Sequence, residues 1–148
     1  MTKKKLAIAV DPLDGIFERL VEAATRARGR AYAPYSRYRV GAAIATESGV
    51  LDAGCNVENA SFPAGICAER GAIAAMVAAG ERKPIACAIV TGGKVPAAPC
   101  GMCRQVLVEF ARELPILLVG LTTGGEPVRR RVELAKLLPD VFELAPRK

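Results

Sequence analysis

Apolar and polar residues along this chain follow two different spacings, and each spacing predicts one kind of element. In residues 12–28 the apolar side chains recur at helical intervals with charged residues between them, which predicts an amphipathic helix. Asp11 is expected to cap this helix, with Pro12 as its first residue. The apolar positions of the helix are Ile16, Leu20, Val21, Ala24 and Ala27.

Short continuous apolar runs elsewhere are typical of strands that are covered on both faces. The expected elements are a helix at 12–28, strands near 40–46 and 50–56 around a turn at 47–49, a helix at 67–79, a strand at 85–91, a helix at 100–112, strands at 115–121 and 127–134, and a short helix at 133–139. Helices that alternate with buried strands pack on both sides of one sheet. We therefore expect a three-layer α/β/α sandwich with a central mixed sheet of about five strands, as a single domain over residues 1–148.

Composition limits the cellular setting of the protein. The chain has 148 residues, 51% of them hydrophobic, and five cysteines, an odd number that argues against a complete disulfide framework. Leu6–Val10 is too short an apolar run for a secretory signal, which needs roughly 7–15 residues, or for a membrane span. We expect a cytoplasmic protein without a membrane partner.

The net charge of +6 raises the question of nucleic-acid binding. The basic residues lie largely in three clusters, Lys3–Lys5, Arg26–Arg39 and Arg129–Arg131. Basic clusters of this kind at termini and loops are usually solvated surface. We therefore expect no polynucleotide partner, and the purpose of the clusters stays open.

Two segments carry the strongest chemical signal, Cys67-Ala68-Glu69 and Pro99-Cys100-Gly101-Met102-Cys103. A C-x-x-C pair alone is typical either of a redox site or of half a zinc site. Cys67 and Cys100 both begin predicted helices, where the helix dipole favours thiolate, the form that binds metal. The combined C-x-E and P-C-x-x-C pattern is that of the zinc-dependent nucleobase deaminases, in which the glutamate is not a ligand.

A structural zinc site normally has four protein ligands, and this sequence has no histidine. Cys55 and Cys87 are the remaining cysteines. Cys87 lies inside a buried apolar run, and Cys55 is expected to point away from the face that carries Asn56. Three protein ligands with an open fourth position is the arrangement of a catalytic zinc site.

The stretches "NVENASF", "CAER" and "PCGMCRQVLVEF" resemble the cytidine deaminases, specifically the short, homotetrameric type with three cysteine ligands. The resemblance runs from "APYSRYRVGAA" at 33–43 to "LLPDVF" at 137–142. It implies that Cys67, Cys100 and Cys103 bind one zinc ion per chain and that Glu69 is the proton shuttle. It also implies a substrate site made by Asn56 and Glu58, which would hold the ribose 3′-hydroxyl, and by Ala68.

The resemblance implies roles for three aromatic residues and an arginine as well. Tyr38, where the family usually has phenylalanine, would lie against the nucleoside. Phe62, where the family commonly has tyrosine, would reach a neighbouring subunit's site, and the following Pro63 departs from the family's usual loop. Phe142 would close a neighbour's pocket, with core packing as the alternative. Arg70 would offset the negative charge of three thiolates, and Arg104 is a second candidate for that role.

The resulting hypothesis is a zinc-dependent hydrolytic deaminase that converts cytidine and deoxycytidine to uridine and deoxyuridine with release of ammonia, in pyrimidine salvage. A deaminase of a modified, blasticidin-like cytosine nucleoside is an alternative that need not keep the "NVENAS" segment. A zinc-stabilised RNA-binding module is a third, and it has no need of Glu69. The expected partners are a free cytosine nucleoside and three further copies of the chain.

Overall fold

Within the described part of the chain, nine helices and strands follow one another in the predicted order. The computed structural model describes residues 11–144, so Lys3–Lys5 and the Leu6–Val10 run lie outside the described residues. The elements are α1 (Asp14–Gly29), β1 (Gly41–Thr46), β2 (Leu51–Cys55), α2 (Ala68–Ala78), β3 (Pro84–Gly92), α3 (Gly101–Val108), β4 (Pro115–Leu121), β5 (Val128–Glu133) and α4 (Leu134–Leu137). A short 3₁₀ turn, Phe62–Ala64, precedes α2.

The five strands form one mixed sheet in the order β2-β1-β3-β4-β5. Strands β1 and β2 are an antiparallel hairpin, and Gly49 in its turn has φ +88°, a conformation that L side chains rarely adopt. Strands β3 and β4 are parallel, so the chain must cross over between them, and α3 makes that crossover. The other neighbouring pairs are antiparallel.

Alternating strand residues build a separate apolar core on each side of the sheet. On one side Phe17, Leu20 and Ala24 of α1 pack on residues such as Val90 and Val119. On the other side α2 and α3 pack on the opposite residues of the same strands, with Met76 and Leu107 fully buried among them. The predicted three-layer sandwich with five strands is therefore confirmed.

Two glycines let the helices approach the sheet closely. A Cβ on Gly41 would lie 1.9 Å from the Ala24 carbonyl oxygen of α1, and one on Gly54 would lie 2.4 Å from the Ala72 backbone nitrogen of α2. Neither neighbour is a flexible side chain, so the helix itself would have to move. Gly54 thereby fixes the height of α2 above the sheet, and with it the helix end that carries Cys67.

Gly54→Ala is expected to lower the free energy of unfolding by about 1–3 kcal/mol, the usual cost of overpacking a close contact. Gly15→Ala is the matched control, because its new methyl group meets no atom within 4 Å. The substitution also replaces a glycine inside a helix by a better helix former, so it should not lower the stability. Urea unfolding of both variants measures the difference. Equal stabilities would contradict a close approach of α2 at Gly54.

Two predicted helix ends were wrong. The first helix begins at Asp14 and has Leu13 at its N-cap position, because Asp11 instead closes a turn, accepting the Leu13 N–H on Oδ1 and the Asp14 N–H on its carbonyl, both at 2.9 Å. Helix α3 ends at Val108, well before 112. After Val108 the Phe110 and Ala111 N–H groups both bond back to the Leu107 carbonyl, at 3.1 and 3.2 Å, so a turn closes the helix before the chain enters β4 at Pro115.

Two arginines of β5 attach this edge strand to α1 and to the turn before it. Arg129 forms an ion pair with Glu18, and Arg131 pairs with Asp11 at 2.5 Å while its guanidinium lies 5.0 Å from the centre of the Phe17 ring. Part of the basic cluster at 129–131 is thus neutralised within the fold. Within residues 11–144, the structure contains no helix that is long and apolar enough to cross a membrane.

Candidate metal centre

Three cysteine sulfurs meet where the N-terminal ends of α2 and α3 converge. Cys67 is the N-cap residue of α2, Cys100 is the N-cap residue of α3, and Cys103 is buried in the first turn of α3. The Cys67 and Cys100 sulfurs are 3.9 Å apart, and the Cys100 and Cys103 sulfurs are 3.4 Å apart. All three sulfurs lie within 4.8 Å of one another.

This spacing fits a zinc ion. Tetrahedral Zn–S bonds of about 2.3 Å place sulfur atoms about 3.8 Å apart, close to the two separations observed. Three thiols with soft sulfur donors are also the ligand set that selects zinc over the hard cations. The residues present therefore suit one zinc ion per chain, held by Cys67, Cys100 and Cys103.

No fourth protein donor completes the cluster within the part of the chain that the structure describes. Cys87 is fully buried in the core beneath α2, and Cys55 lines a groove on the α1 side of the sheet, as the strand alternation predicts. The Glu69 carboxylate also lies outside the set of mutually close ligand atoms. The described residues therefore supply three protein ligands for a zinc ion, the number typical of a catalytic site.

The surroundings raise the pKa of two of the three thiols and lower the pKa of the third. Burial raises the pKa of Cys67 and of Cys103. Burial acts the same way on Cys100, but hydrogen bonds from the Cys103 backbone N–H and from the neighbouring thiols outweigh it and lower its pKa. The pKa of Cys100 is thus lowered, whereas burial dominates at the other two thiols.

Arg70 lies beside the cluster, as the resemblance implied. Burial would lower its pKa, but the nearby Cys67 and Cys103 sulfurs raise it overall. Its Nη2 donates to the Gly65 carbonyl at 2.9 Å, whereas its buried Nε has no partner among the described residues. The guanidinium as a whole interacts with the Cys67 and Cys103 sulfurs, which are acceptors when they are thiolates. Arg104, the second candidate, donates instead to the carbonyls of Pro99 and Leu137 and braces the chain on either side of α3.

Arg70→Ala is expected to retain the fold and to lose about 10- to 100-fold in zinc affinity or turnover, the usual effect of removing a group that supports metal ligands. Arg70→Lys should recover part of the loss because it keeps the charge without the planar donors. Chelator competition measures the affinity, and Arg19→Ala, exposed on the opposite side of the sheet, is the control. Wild-type affinity and turnover in Arg70→Ala would disprove charge compensation by this residue.

Glu69 lies in a cavity next to the sulfurs. Its side chain projects from the first turn of α2, is 5% exposed, and lines a cavity of 290 Å³ together with Cys67 and Cys100. Burial raises the pKa of Glu69, although backbone and side-chain hydrogen bonds and the Arg70 charge oppose the rise. Raised pKa values of this kind are typical of carboxyl groups that exchange protons during catalysis.

Asn56 and Glu58 line the same cavity and also fasten the loop that forms its wall. The Asn56 side chain accepts the Val40 N–H and donates to the Tyr38 carbonyl, both at 2.8 Å. Glu58 accepts the Tyr35 N–H at 2.8 Å and a hydroxyl hydrogen bond from Ser36. The two residues predicted to bind the ribose therefore also hold the loop of residues 35–40 in place.

The three aromatic residues named from the resemblance lie in different places. Tyr38 lines the cavity of Glu69 and is 45% exposed. Phe62 is 76% exposed, packs edge-to-face on Tyr35 with ring centres 5.9 Å apart, and lines a neighbouring cavity of 550 Å³. Phe142 is 72% exposed, so the alternative of core packing is wrong within this chain. Ala68, the first residue of α2, lines the Glu69 cavity and has a backbone N–H without an intrahelical acceptor.

Sequence reasoning missed two polar residues of the cavity. Ser36 lies in the loop between α1 and β1 and contacts Glu58 directly. Thr91, 1% exposed near the end of β3, lines the cavity and donates weakly to the Val119 carbonyl at 3.4 Å. The sequence could have indicated Ser36, because it lies only two positions before Tyr38, a residue already assigned to the site. Nothing local distinguishes Thr91 from an ordinary strand residue.

Comparison with known proteins gives a consistent result. A family model described as the cytidine and deoxycytidylate deaminase zinc-binding region matches residues 16–118. A cytidine deaminase of Sporosarcina psychrophila is 40% identical over 126 residues, which cover 84% of this chain and 90% of that protein. A crystal structure of cytidine deaminase from Burkholderia pseudomallei is 44% identical with a TM-score of 0.76 and covers 84% of this chain and 98% of its own. A crystal structure of cytidine deaminase from Mycobacterium tuberculosis is 41% identical with a TM-score of 0.73, and the match covers 86% of this chain and 98% of that chain.

The chain therefore belongs to the cytidine and deoxycytidylate deaminases, a family of zinc-binding enzymes. Within that family it is similar, over most of its length, to proteins named cytidine deaminase.

Proposed function

We propose that this protein hydrolyses the exocyclic C–N bond of free cytidine and deoxycytidine, giving uridine or deoxyuridine and ammonia, in pyrimidine salvage in the cytoplasm. The observation that carries the proposal is the position of Glu69, a buried carboxyl group in one cavity with Cys67 and Cys100 of the three-sulfur cluster. A binding module that used zinc only for stability would gain nothing from burying an acid beside its metal, since burial of a carboxylate is costly.

Each chemical task has a residue. A zinc ion, when bound by Cys67, Cys100 and Cys103, supplies a water of lowered pKa at neutral pH. Glu69 accepts a proton from the attacking water, delivers it to N3 of the cytosine ring, and then assists protonation of the departing amino group. Water is consumed and ammonia released, so the reaction needs no other co-reactant. The raised pKa of Glu69 suits a group that must both accept and donate a proton.

Asn56 and Glu58 provide the contacts to the sugar. An amide and a carboxylate together match a hydroxyl group, which both donates and accepts a hydrogen bond. Each side chain retains donor or acceptor capacity after bonding the loop of residues 35–40. The 3′-hydroxyl of the ribose is their proposed partner, and the free backbone N–H of Ala68 at the start of α2 is available to the base.

The charge of the cavity favours a nucleoside over a nucleotide or polynucleotide. Its described lining contains two carboxyl groups, those of Glu58 and Glu69, and neither a lysine nor an arginine. A phosphodiester at the 3′ position would have no proton to donate and would add negative charge beside Glu58. A phosphate elsewhere on the sugar would likewise meet no cation in this lining.

Tyr38, Phe62 and Phe142 are proposed to complete the pocket in a homotetramer. Tyr38 would lie against the nucleoside of its own chain, because it lines the Glu69 cavity. Phe62 and Phe142 are the most exposed of the phenylalanines described, and exposed aromatic side chains are enriched at protein interfaces. Each would cover a neighbouring subunit's pocket. Sedimentation of the zinc-loaded chain tests the assembly.

The proposal is tested by incubating the zinc-loaded protein with cytidine, deoxycytidine, deoxycytidine monophosphate, a blasticidin-like nucleoside and a single-stranded oligonucleotide, and measuring ammonia. Turnover of the first two with little of the others is expected. Turnover of the monophosphate alone would move the substrate class to nucleotides, and turnover of the antibiotic alone would favour the alternative deaminase. Binding of the oligonucleotide without any ammonia release would overturn the enzyme assignment.

A further inference from the structure

Ser36 forms a hydrogen-bond link between two parts of the cavity wall. Its Oγ accepts the Tyr38 backbone N–H at 3.0 Å, and its hydroxyl proton is donated to Glu58 Oε1. An ionised carboxylate has no proton to donate, so the Ser36 hydroxyl is the donor in the second bond. Ser36 therefore acts as a donor toward Glu58 with a fixed direction.

The Glu58 carboxylate is held at both oxygens. Oε2 accepts the backbone N–H groups of Tyr35 at 2.8 Å and of Ser36 at 3.2 Å, while Oε1 accepts the Ser36 hydroxyl. An ionised carboxylate accepts about four hydrogen bonds. Oε2 is thus saturated, and the remaining acceptor site belongs to Oε1, the oxygen that Ser36 contacts.

We propose that Ser36 is a positioning residue that acts through Glu58: its hydroxyl fixes the carboxylate so that the last acceptor site of Oε1 receives the 3′-hydroxyl of the nucleoside. The inference rests on the proposed role of Glu58 in ribose binding. The same hydrogen bond is the main cause that lowers the pKa of Glu58, joined by the Tyr35 and Ser36 N–H groups against the opposing effect of burial. An ionised, acceptor-only carboxylate is what a donating hydroxyl requires.

The loop does not depend on the Ser36 side chain alone. Asn56 holds it at the Tyr38 carbonyl and the Val40 N–H, and the backbone N–H of Tyr35 still reaches Glu58 when the hydroxyl is gone. Ser36→Ala is therefore expected to fold and to bind zinc normally. What it loses is one donor to Oε1 and, with it, the fixed rotation of the carboxylate.

The test compares cytidine with 3′-deoxycytidine, which lacks the group that Glu58 would bind. In the zinc-loaded enzyme, Ser36→Ala should raise the KM for cytidine about tenfold, a typical effect of losing a hydrogen bond to a charged group, with kcat within about threefold of wild type. The KM for 3′-deoxycytidine should change less than about twofold. Ser36→Thr, which restores a hydroxyl, should recover most of the loss.

Ser48→Ala is the matched control, because it removes another serine hydroxyl bond to a glutamate, that of Ser48 to Glu81 at 2.8 Å, at the β1–β2 turn. It should leave both KM values unchanged. Equal rises in KM for both substrates after Ser36→Ala, or a fall in kcat without a change in KM, would overturn the inference. If the wild type turns over cytidine but does not distinguish it from 3′-deoxycytidine, the ribose contact of Glu58 fails, and with it this inference. Absence of cytidine turnover is the separate failure of the proposed function.

Discussion

Replacing Glu69 by glutamine is expected to lower kcat for cytidine by about 10²- to 10⁴-fold, the contribution typical of a positioned general acid and base. Glutamine has nearly the same shape but cannot accept the proton of water or return it to the ring. The side chain is buried, so no solvent base has easy access to take its place. The variant should therefore bind cytidine without turning it over.

The zinc content and the fold should survive this substitution. Glu69 is not among the mutually close ligand atoms, and burial already disfavours its charged form. Metal analysis and thermal unfolding of Glu69→Gln should therefore match the wild type, or show slightly higher stability. Glu109→Gln, at the exposed end of α3, is the matched control and should keep full activity. A Glu69→Gln enzyme with turnover within threefold of the control would remove Glu69 from the mechanism.

The second large effect is expected for Cys103→Ala, which should reduce the bound zinc far below one ion per chain. Loss of a residue that only supports a metal ligand costs up to about 100-fold in affinity, so loss of one of three ligands should cost more. Activity should fall in proportion to the metal lost. Cys103 is fully buried between α2 and α3, and a zinc ion held by the three cysteines would link the ends of these two helices.

The role of zinc in stability gives this prediction a second measurement. A ligand that binds only the folded state stabilises it, by about 2.7 kcal/mol when present at 100 times its dissociation constant. Chelator should therefore lower the Tm of the wild type but leave the Tm of Cys103→Ala nearly unchanged. Cys55→Ala is the control, because Cys55 lies on the α1 side of the sheet and should keep both zinc and the chelator effect. A chelator effect of wild-type size in Cys103→Ala would exclude Cys103 as a ligand.

Interactions within a few residues were predictable because their geometry is local. The positions of Cys67 and Cys100 at helix starts follow from periodicity and from the residues that flank each helix, and both are N-cap residues in the structure. The β1–β2 hairpin follows from its turn residues, with Gly49 at the position that needs a positive φ. The predicted start of α1 after Asp11 and the predicted end of α3 at 112 were wrong, because hydrogen-bonded turns occupy the residues at both places.

Interactions between distant segments could not be predicted in the same way. The polar character of Asn56 and Glu58 is visible in the sequence, but their bonds to residues 35–40 depend on how the loop after α1 folds back over the end of β2. Arg70 and Arg104 look equivalent as basic residues that follow cysteines. Only the structure separates them, since Arg104 bonds two carbonyls while the Arg70 side chain interacts with the Cys67 and Cys103 sulfurs.

The order of elements and the chemical identity of the metal centre follow from the amino-acid sequence alone, because hydrophobic periodicity and ligand type are properties of short segments. The tertiary structure decided which groups meet. Cys67 and Cys100 are 33 positions apart and become neighbours at 3.9 Å only because α2 and α3 pack side by side on one face of the sheet. That packing also buries Glu69 beside the sulfurs. Strand alternation places Cys55 on the other face, and the fold of the loop after α1 brings Ser36 to Glu58.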